Sequence, residues 1–193
     1  MPILDIQGNH LASFDAFPFN EEVQNIEFGA GVNYFGKKEF PNCFLTDIQP
    51  PNCDHFQQYP EDYENRNCHF LDSICDYLST DFGEKTFSNL IFCNPFGIGF
   101  LGQGHADEFI SRATDLLNEE GKIYILGSAS SPWSKSRKIK RYLSELIELG
   151  VIEIEVTSLD PEHAYITEYN YLQCDMVTKT TPNELIVIKK IRA

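Results

Sequence analysis

Short apolar runs broken by turn residues alternate along this chain with stretches of helical period, and the alternation begins at residue 23. Val23 to Phe28 predicts a first strand, which runs through Glu27 into two closely spaced glycines, Gly29 and Gly31. The stretch that follows allows at most a short helix, because Gly36 weakens it and Pro41 disfavours helical geometry at Phe40. Phe44-Leu45-Thr46 predicts a second strand ending at Asp47. Cys68 to Leu71 predicts a third, ending at Asp72-Ser73, with a helical turn or two from Ile74 to Leu78. Phe87 to Cys93 is almost continuously apolar, as expected of a parallel strand covered on both faces, and it stops at Asn94-Pro95-Phe96-Gly97.

Helical period then takes over. Phe109, Ala113, Leu116 and Leu117 mark one helix, which Gly121 is expected to end, and Lys122 to Gly127 predicts the next strand. A second helix over 134–149 places Ile139, Tyr142, Leu143, Leu146 and Ile147 on one face, with Gly150 at its end. Val151 to Val156 and Asn183 to Ile191 read as two closing strands that pair antiparallel, with Tyr165 to Met176 as an excursion between them. The polar, proline-bearing stretch from Gln49 to Asn67 reads as a long loop. Parallel strands separated by helices and ending at Glu27, Asp47, Asp72 and Asn94 predict an α/β, doubly wound sheet.

Composition narrows the setting. A chain of 193 residues with 42% apolar content suits one domain, 1–193, with 1–22 as a lead-in segment. Phe14, Phe17 and Phe19 in that segment are expected to cover the core edge or the mouth of a pocket. No apolar run is long enough to span a bilayer and the start lacks a signal-peptide pattern, so no membrane contact and a cytoplasmic location are expected. The six cysteines then read as reduced thiols. Cys53-Asp54-His55 and Cys68-His69 make zinc conceivable, but the paired short spacings of structural zinc are missing and no metal is expected.

The formal charge of −14 excludes a broad nucleic-acid surface. The charge is uneven, however. Ser134 to Arg141 holds Lys135, Arg137, Lys138, Lys140 and Arg141 with no acid, leaving ten basic against 29 acidic residues elsewhere, a formal −19. The cluster is either a solvated helix face or a local site for an acidic partner, and its position on the first turns is one the helix dipole does not favour.

The chemistry lies at the predicted strand ends. Glycines after a strand let backbone amides approach a ligand, and Asp47 offers two carboxylate oxygens at the spacing of a ribose diol. Glu27-Phe28-Gly29-Ala30-Gly31 with Asp47, Asp72-Ser73 and Asn94-Pro95-Phe96 in this order resembles the class I, Rossmann-like S-adenosylmethionine-dependent methyltransferases, from about Val23 to the C-terminus. The resemblance implies a mostly parallel seven-stranded sheet with a C-terminal antiparallel strand. It implies S-adenosyl-L-methionine as cofactor, held by Glu27, Phe28, Gly29, Ala30, Gly31, Asp47, Ile48, Asp72, Ser73 and Asn94. Gly29, Ala30 and Gly31 would lie near its methionine part, Asp47 at the ribose, Asp72 at the adenine, and Asn94 beside the transferred methyl as the catalytic residue. Asn33 stands where a third glycine is common. Asn94-Pro95-Phe96-Gly97 lacks the second proline of the Asn-Pro-Pro-aromatic motif of amino-methylating members.

The expected activity is methyl transfer to a small-molecule or protein acceptor, with His10, Asp15 and His105 as candidate bases. A second reading is a catalytically silent methyltransferase-like binding protein, an acidic inhibitor or immunity-type partner of a basic protein. An NAD site is a third, since the same glycine and acid logic serves dinucleotides, though it leaves Asn94-Pro95-Phe96 unexplained.

Overall fold

The structure, a computed structural model, describes residues 22–30, 35–47, 72–75, 77–78, 80–93, 106–129, 137–169, 171–172 and 179–191. Strand β1 (Asn25–Phe28) leads through a turn into the short helix α1 (Phe35–Glu39), then β2 (Cys43–Asp47) and the two-residue β3 (Ser73–Ile74). Next come β4 (Phe87–Cys93), α2 (Ala106–Leu116), β5 (Leu117–Gly127), α3 (Arg137–Glu148) and β6 (Ile152–Ser158). The chain closes with α4 (Ala164–Thr167), the small pair β7 (Tyr171–Leu172) and β8 (Lys179–Thr180), and β9 (Glu184–Lys190).

The main sheet is mixed and mostly parallel, in the order β3-β2-β1-β4-β5-β9-β6. Strand β9 enters between β5 and β6 and runs antiparallel to both, so the expected pairing of the last two long strands is present. Alternation along the strands divides the core into two. Ile26, Phe28, Leu90, Phe92, Ile123 and Ile125 join Phe109 and Ala113 of α2 and Leu143 of α3 on one face. Leu45, Ile91, Cys93 and Leu126 join Phe35 of α1 on the other, under Tyr165 and Ile166 of α4. The central strands are thus covered on both sides, which is why β4 reads as an unbroken apolar run.

Local chemistry explains the helix ends. Helix α3 stops in a Schellman arrangement, with Gly150 at φ 67°. The Gly150 amide donates to the Ile147 carbonyl and the Val151 amide to that of Leu146. Ile147, expected on the buried face, is 46% exposed, while Leu143 is buried and Tyr142 and Leu146 pack against the core.

Two expected boundaries are corrected. Leu117 and Gly121 belong to β5, not to the end of a helix, and the register between β4 and β5 jumps from Phe87↔Leu117 to Asn89↔Lys122. The extra residues bulge so tightly that a Cβ on Gly121 would lie 2.8 Å from the Leu117 side chain, which explains the glycine without a helix cap. The third strand lies at Ser73–Ile74, so Asp72 precedes it where the sequence placed it at the end. Residues 68–71, the loop 49–67 and the lead-in 1–21 lie outside the described residues.

Candidate functional site

The parallel register sets three strand ends side by side. Phe28 of β1 pairs with Thr46 of β2 and Phe92 of β4, so the next residues, Gly29, Asp47 and Cys93, stand level at the carboxyl edge of adjacent strands. That edge is where open α/β sheets receive ligands. Gly29 turns there with φ 68°, in the left-handed region that favours glycine, and the next amide, Ala30, donates to the Thr46 carbonyl at 2.9 Å. Thr46 in turn donates its hydroxyl to the Glu27 carbonyl at 2.9 Å. The turn is therefore held from its own side and from the neighbouring strand.

Asp47, half-buried, closes β2 at this edge, and its carbonyl accepts the Cys75 amide at 2.8 Å. Asp72 lies along β2. One carboxylate oxygen accepts from Lys37 of α1 at 2.6 Å and the other from the Leu45 amide at 2.8 Å, while the Asp72 amide donates to the Leu45 carbonyl. The pair Lys37–Asp72 thus ties the first helix to the second and third strands. Lone pairs beyond these two bonds are what Asp72 has left for a ligand.

Glu27 occupies the floor. It has no exposure, and its Oε2 accepts the Gly36 amide of α1 at 2.7 Å. A Cβ at Gly36 would lie 2.5 Å from that oxygen, so this glycine is required by the close approach of helix and carboxyl. Burial raises the Glu27 carboxyl to about 7, with the Asp47 charge pushing the same way. The Gly36 amide and the Cys93 thiol pull against the shift. The thiol gives no hydrogen bond of ordinary geometry, and Oε1 has no partner among the described residues. Cys93 and Cys43 line the same pocket as free buried thiols, pushed well up by burial and by the Glu27 charge.

The side chains of Glu27 and Phe28 are buried: Phe28 stacks on Phe92 at 5.5 Å in the opposite core, and Glu27 supports α1. Gly31, Ile48, Asn94 and Asn33 lie outside the described residues, as do His10, Asp15, His105, Cys53, His55, Cys68 and His69. Cys93, level with Gly29 and Asp47, is the residue before Asn94 in the sequence. Ser73 lies in β3 beside Thr46.

Asn183 is a residue that sequence patterns did not single out. Its amide donates to the Gly127 carbonyl at 2.9 Å, its carbonyl accepts the Leu159 amide at 2.9 Å, and its side-chain oxygen accepts the Ala129 amide at 2.9 Å. It thereby fastens the ends of β5 and β6 to the start of β9 at the same carboxyl edge. Nothing short of the β9 pairing could have signalled that role. Residues 163–169 then cover the Glu27 face, where Phe35 meets Tyr165 and Tyr169 edge-on and Lys38 pairs with Glu168 at 2.8 Å.

The arrangement fits a nucleotide-type cofactor by its donor set: a left-handed glycine turn at one strand end and a half-buried carboxylate level with it on the next. No helix among the described residues is long and apolar enough to cross a membrane, and no group of three or more metal-ligating side chains occurs among them. No protein-family model matches the chain, and no curated protein sequence does. Solved structures do. The 16S rRNA methyltransferase KamB is similar over 90% of each chain at 9% identity, with a TM-score of 0.51. A 30S ribosomal A1408 methyltransferase from an uncultured bacterium is similar over 88% of each chain at 16% identity, with a TM-score of 0.50. The N-methyltransferase NodS from Bradyrhizobium japonicum WM9 is similar over 86% of this chain and 85% of its own, at 12% identity and a TM-score of 0.50.

Proposed function

We propose that this chain, which has the fold of the class I S-adenosylmethionine-dependent methyltransferases, is itself a methyltransferase that binds its cofactor across the carboxyl edge of β1, β2 and β4. The observation that carries the reading is the level row of Gly29, Asp47 and Cys93, which leads directly into Asn94. In this reading residues 1–193 form one domain with a doubly wound sheet, and β3 counts as its seventh strand.

The Gly29-Ala30-Gly31 turn lies against the methionine part of the cofactor, and Asp47 with Ile48 receives the ribose. Asp72 and Ser73 stand on the adenine side. The Asp72 carboxylate mainly anchors the β2 edge through Lys37 and Leu45, so its share in binding is the smaller one. Glu27 and Phe28 act beneath the turn. S-adenosylmethionine, when bound, supplies an activated methyl on a sulfonium. Asn94 orients the acceptor, and the protein's contribution is alignment and exclusion of water rather than strong acid or base chemistry. Two of the three similar proteins are named for ribosomal targets and the third is named only as an N-methyltransferase, so the fold leaves the acceptor class open. No observation among the described residues favours an acidic inhibitor of a basic protein.

Calorimetric titration with S-adenosylmethionine tests the reading. Saturable binding is expected, weakened at least about tenfold in Asp47→Ala, about 1.4 kcal/mol. Absence of binding to the folded wild-type chain would sink it.

A further inference from the structure

The basic run on α3 stands out because the helix carries its charges in the order the dipole disfavours. Arg137, Lys140 and Arg141 are exposed on its first turns, no acid lies there, and the exposed Glu145 and Glu148 follow at the other end. The acidic remainder of the chain makes these cations an island. Among the described residues Arg141 pairs with Glu145 alone, at 3.5 Å with both side chains well exposed. Arg137 and Lys140 have no ion pair among the described residues.

Topology says which way the island faces. Leu126 is paired with Cys93, so β5 reaches Gly127 at the carboxyl edge that bears Gly29 and Asp47. Lys122 and Glu153 both pair with Lys189, so β6 begins at the opposite edge, just after α3 ends. Helix α3 therefore runs back across the sheet, and its 12 residues span about 18 Å, close to the length of the strands it crosses. Its first turn, with the cations, stands on the carboxyl-edge side of the sheet, the side that bears the proposed site. Exposed Asp160 and Glu162 follow the end of β6 on the same side.

We propose that the amino-terminal end of α3 is a contact surface for the phosphate backbone of a single-stranded RNA that carries the methyl acceptor. The direction of approach rests on the proposed methyl-transfer site; the binding itself does not. Two features favour a slender polyanion. The cations are exposed on the helix, which suits a strand laid across it, and Arg137 and Arg141 lie one turn apart with planar forks that fit phosphate oxygens. A folded acidic protein would need an interface of about 800 Å² on each side and would bring its charge against a chain whose formal charge is −14. A strand can touch the island alone. The acidity that excludes a broad nucleic-acid surface therefore leaves a narrow one, and the acceptor class shifts from the small molecule or protein expected from composition.

The test is fluorescence anisotropy of a labelled, unstructured RNA of about 20 nucleotides, without cofactor, across a salt series. The triple charge reversal Arg137→Glu, Lys140→Glu, Arg141→Glu should weaken binding by at least about tenfold and flatten the slope of log K against log salt by about 2, since each phosphate contact on a single strand contributes about 0.7. Lys189→Glu, an exposed change at the opposite edge, should leave binding within about twofold. Equal RNA binding by the triple variant, with an unchanged melting temperature, overturns the proposal, as does absence of RNA binding by the wild type. Tighter binding of a poly-glutamate peptide than of RNA overturns it in favour of an acidic protein. The same preparations, titrated with S-adenosylmethionine, separate the two claims: a wild type that binds the cofactor but no RNA counts against this surface alone.

Discussion

A carboxyl with no exposure and one unpartnered oxygen, as Glu27 has, makes folding depend on pH. Its folded value of about 7 lies above the ordinary 4.5, so the protonated form is favoured in the folded state. The resulting stabilisation is complete below 4.5 and is lost as pH rises through 7. The difference corresponds to about 3 kcal/mol at most. Glu27→Gln keeps an acceptor for the Gly36 amide and removes the ionisation. Urea unfolding at pH 5 and pH 8 should therefore show the variant gaining on the wild type by about 2 to 3 kcal/mol at the higher pH. Parallel losses in the two proteins would assign the pH dependence to other groups. The residue also shows what a sequence position leaves open about a side chain. Its place before the glycines was legible, and it was read as a ligand contact. That its side chain turns away from the edge, into a pocket with Cys43 and Cys93, depends on strand parity and on the Gly36 approach.

At the scale of elements, a lysine does what a helix-ending glycine was expected to do. Lys190, at the end of β9, donates to the carbonyls of Thr114 at 2.9 Å and Leu117 at 3.0 Å. It thus caps α2 with a positive charge at the end where the dipole favours one. Lys190→Met keeps much of the stem and removes the ammonium. Chemical denaturation should show a loss of about 1 to 2 kcal/mol. Lys189→Met, whose side chain is exposed, should change little, and equal effects of the two would reduce the cap to a surface contact. This capping explains why the helix end was misread. Leu116 and Leu117 continue the helical period, and Gly121 imitates a terminator, whereas the real stop comes from a residue 73 positions away from Leu117. Elements whose signal is local were legible: β4 matches its apolar run from Phe87 to Cys93, and α1 is as short as Gly36 and Pro41 require. Strand β3 was not, because its two residues take their definition from pairing with Thr46 and Asp47.

Across the whole molecule, the last long strand is an internal one. Sequence order places β9 at the end of the chain, but it pairs with β5 on one side and β6 on the other, and among the described residues β6 has no other neighbour in the main sheet. Periodicity could show that β6 and β9 pair and could not show that β9 also reaches β5, since that register joins residues more than fifty positions apart. The row of Gly29, Asp47 and Cys93 needs no such closure, for it depends on β1, β2 and β4 alone. The topology places a strong demand on the C-terminal residues. Ile186 and Ile188 are buried in the larger core, and the β9 backbone satisfies the inner edges of both neighbours. A chain ending at Asn183 would therefore leave β5 and β6 with unpaired inner edges, a cost that no surface loop can offset. Circular dichroism should show no cooperative melting for that truncation, and amide exchange should show β5 and β6 unprotected. Strand β6 is held in the sheet by β9 alone, so its protection is the sharper test: a truncated chain that still protected 152–158 would mean that packing of α3 on β6 suffices without the ladder.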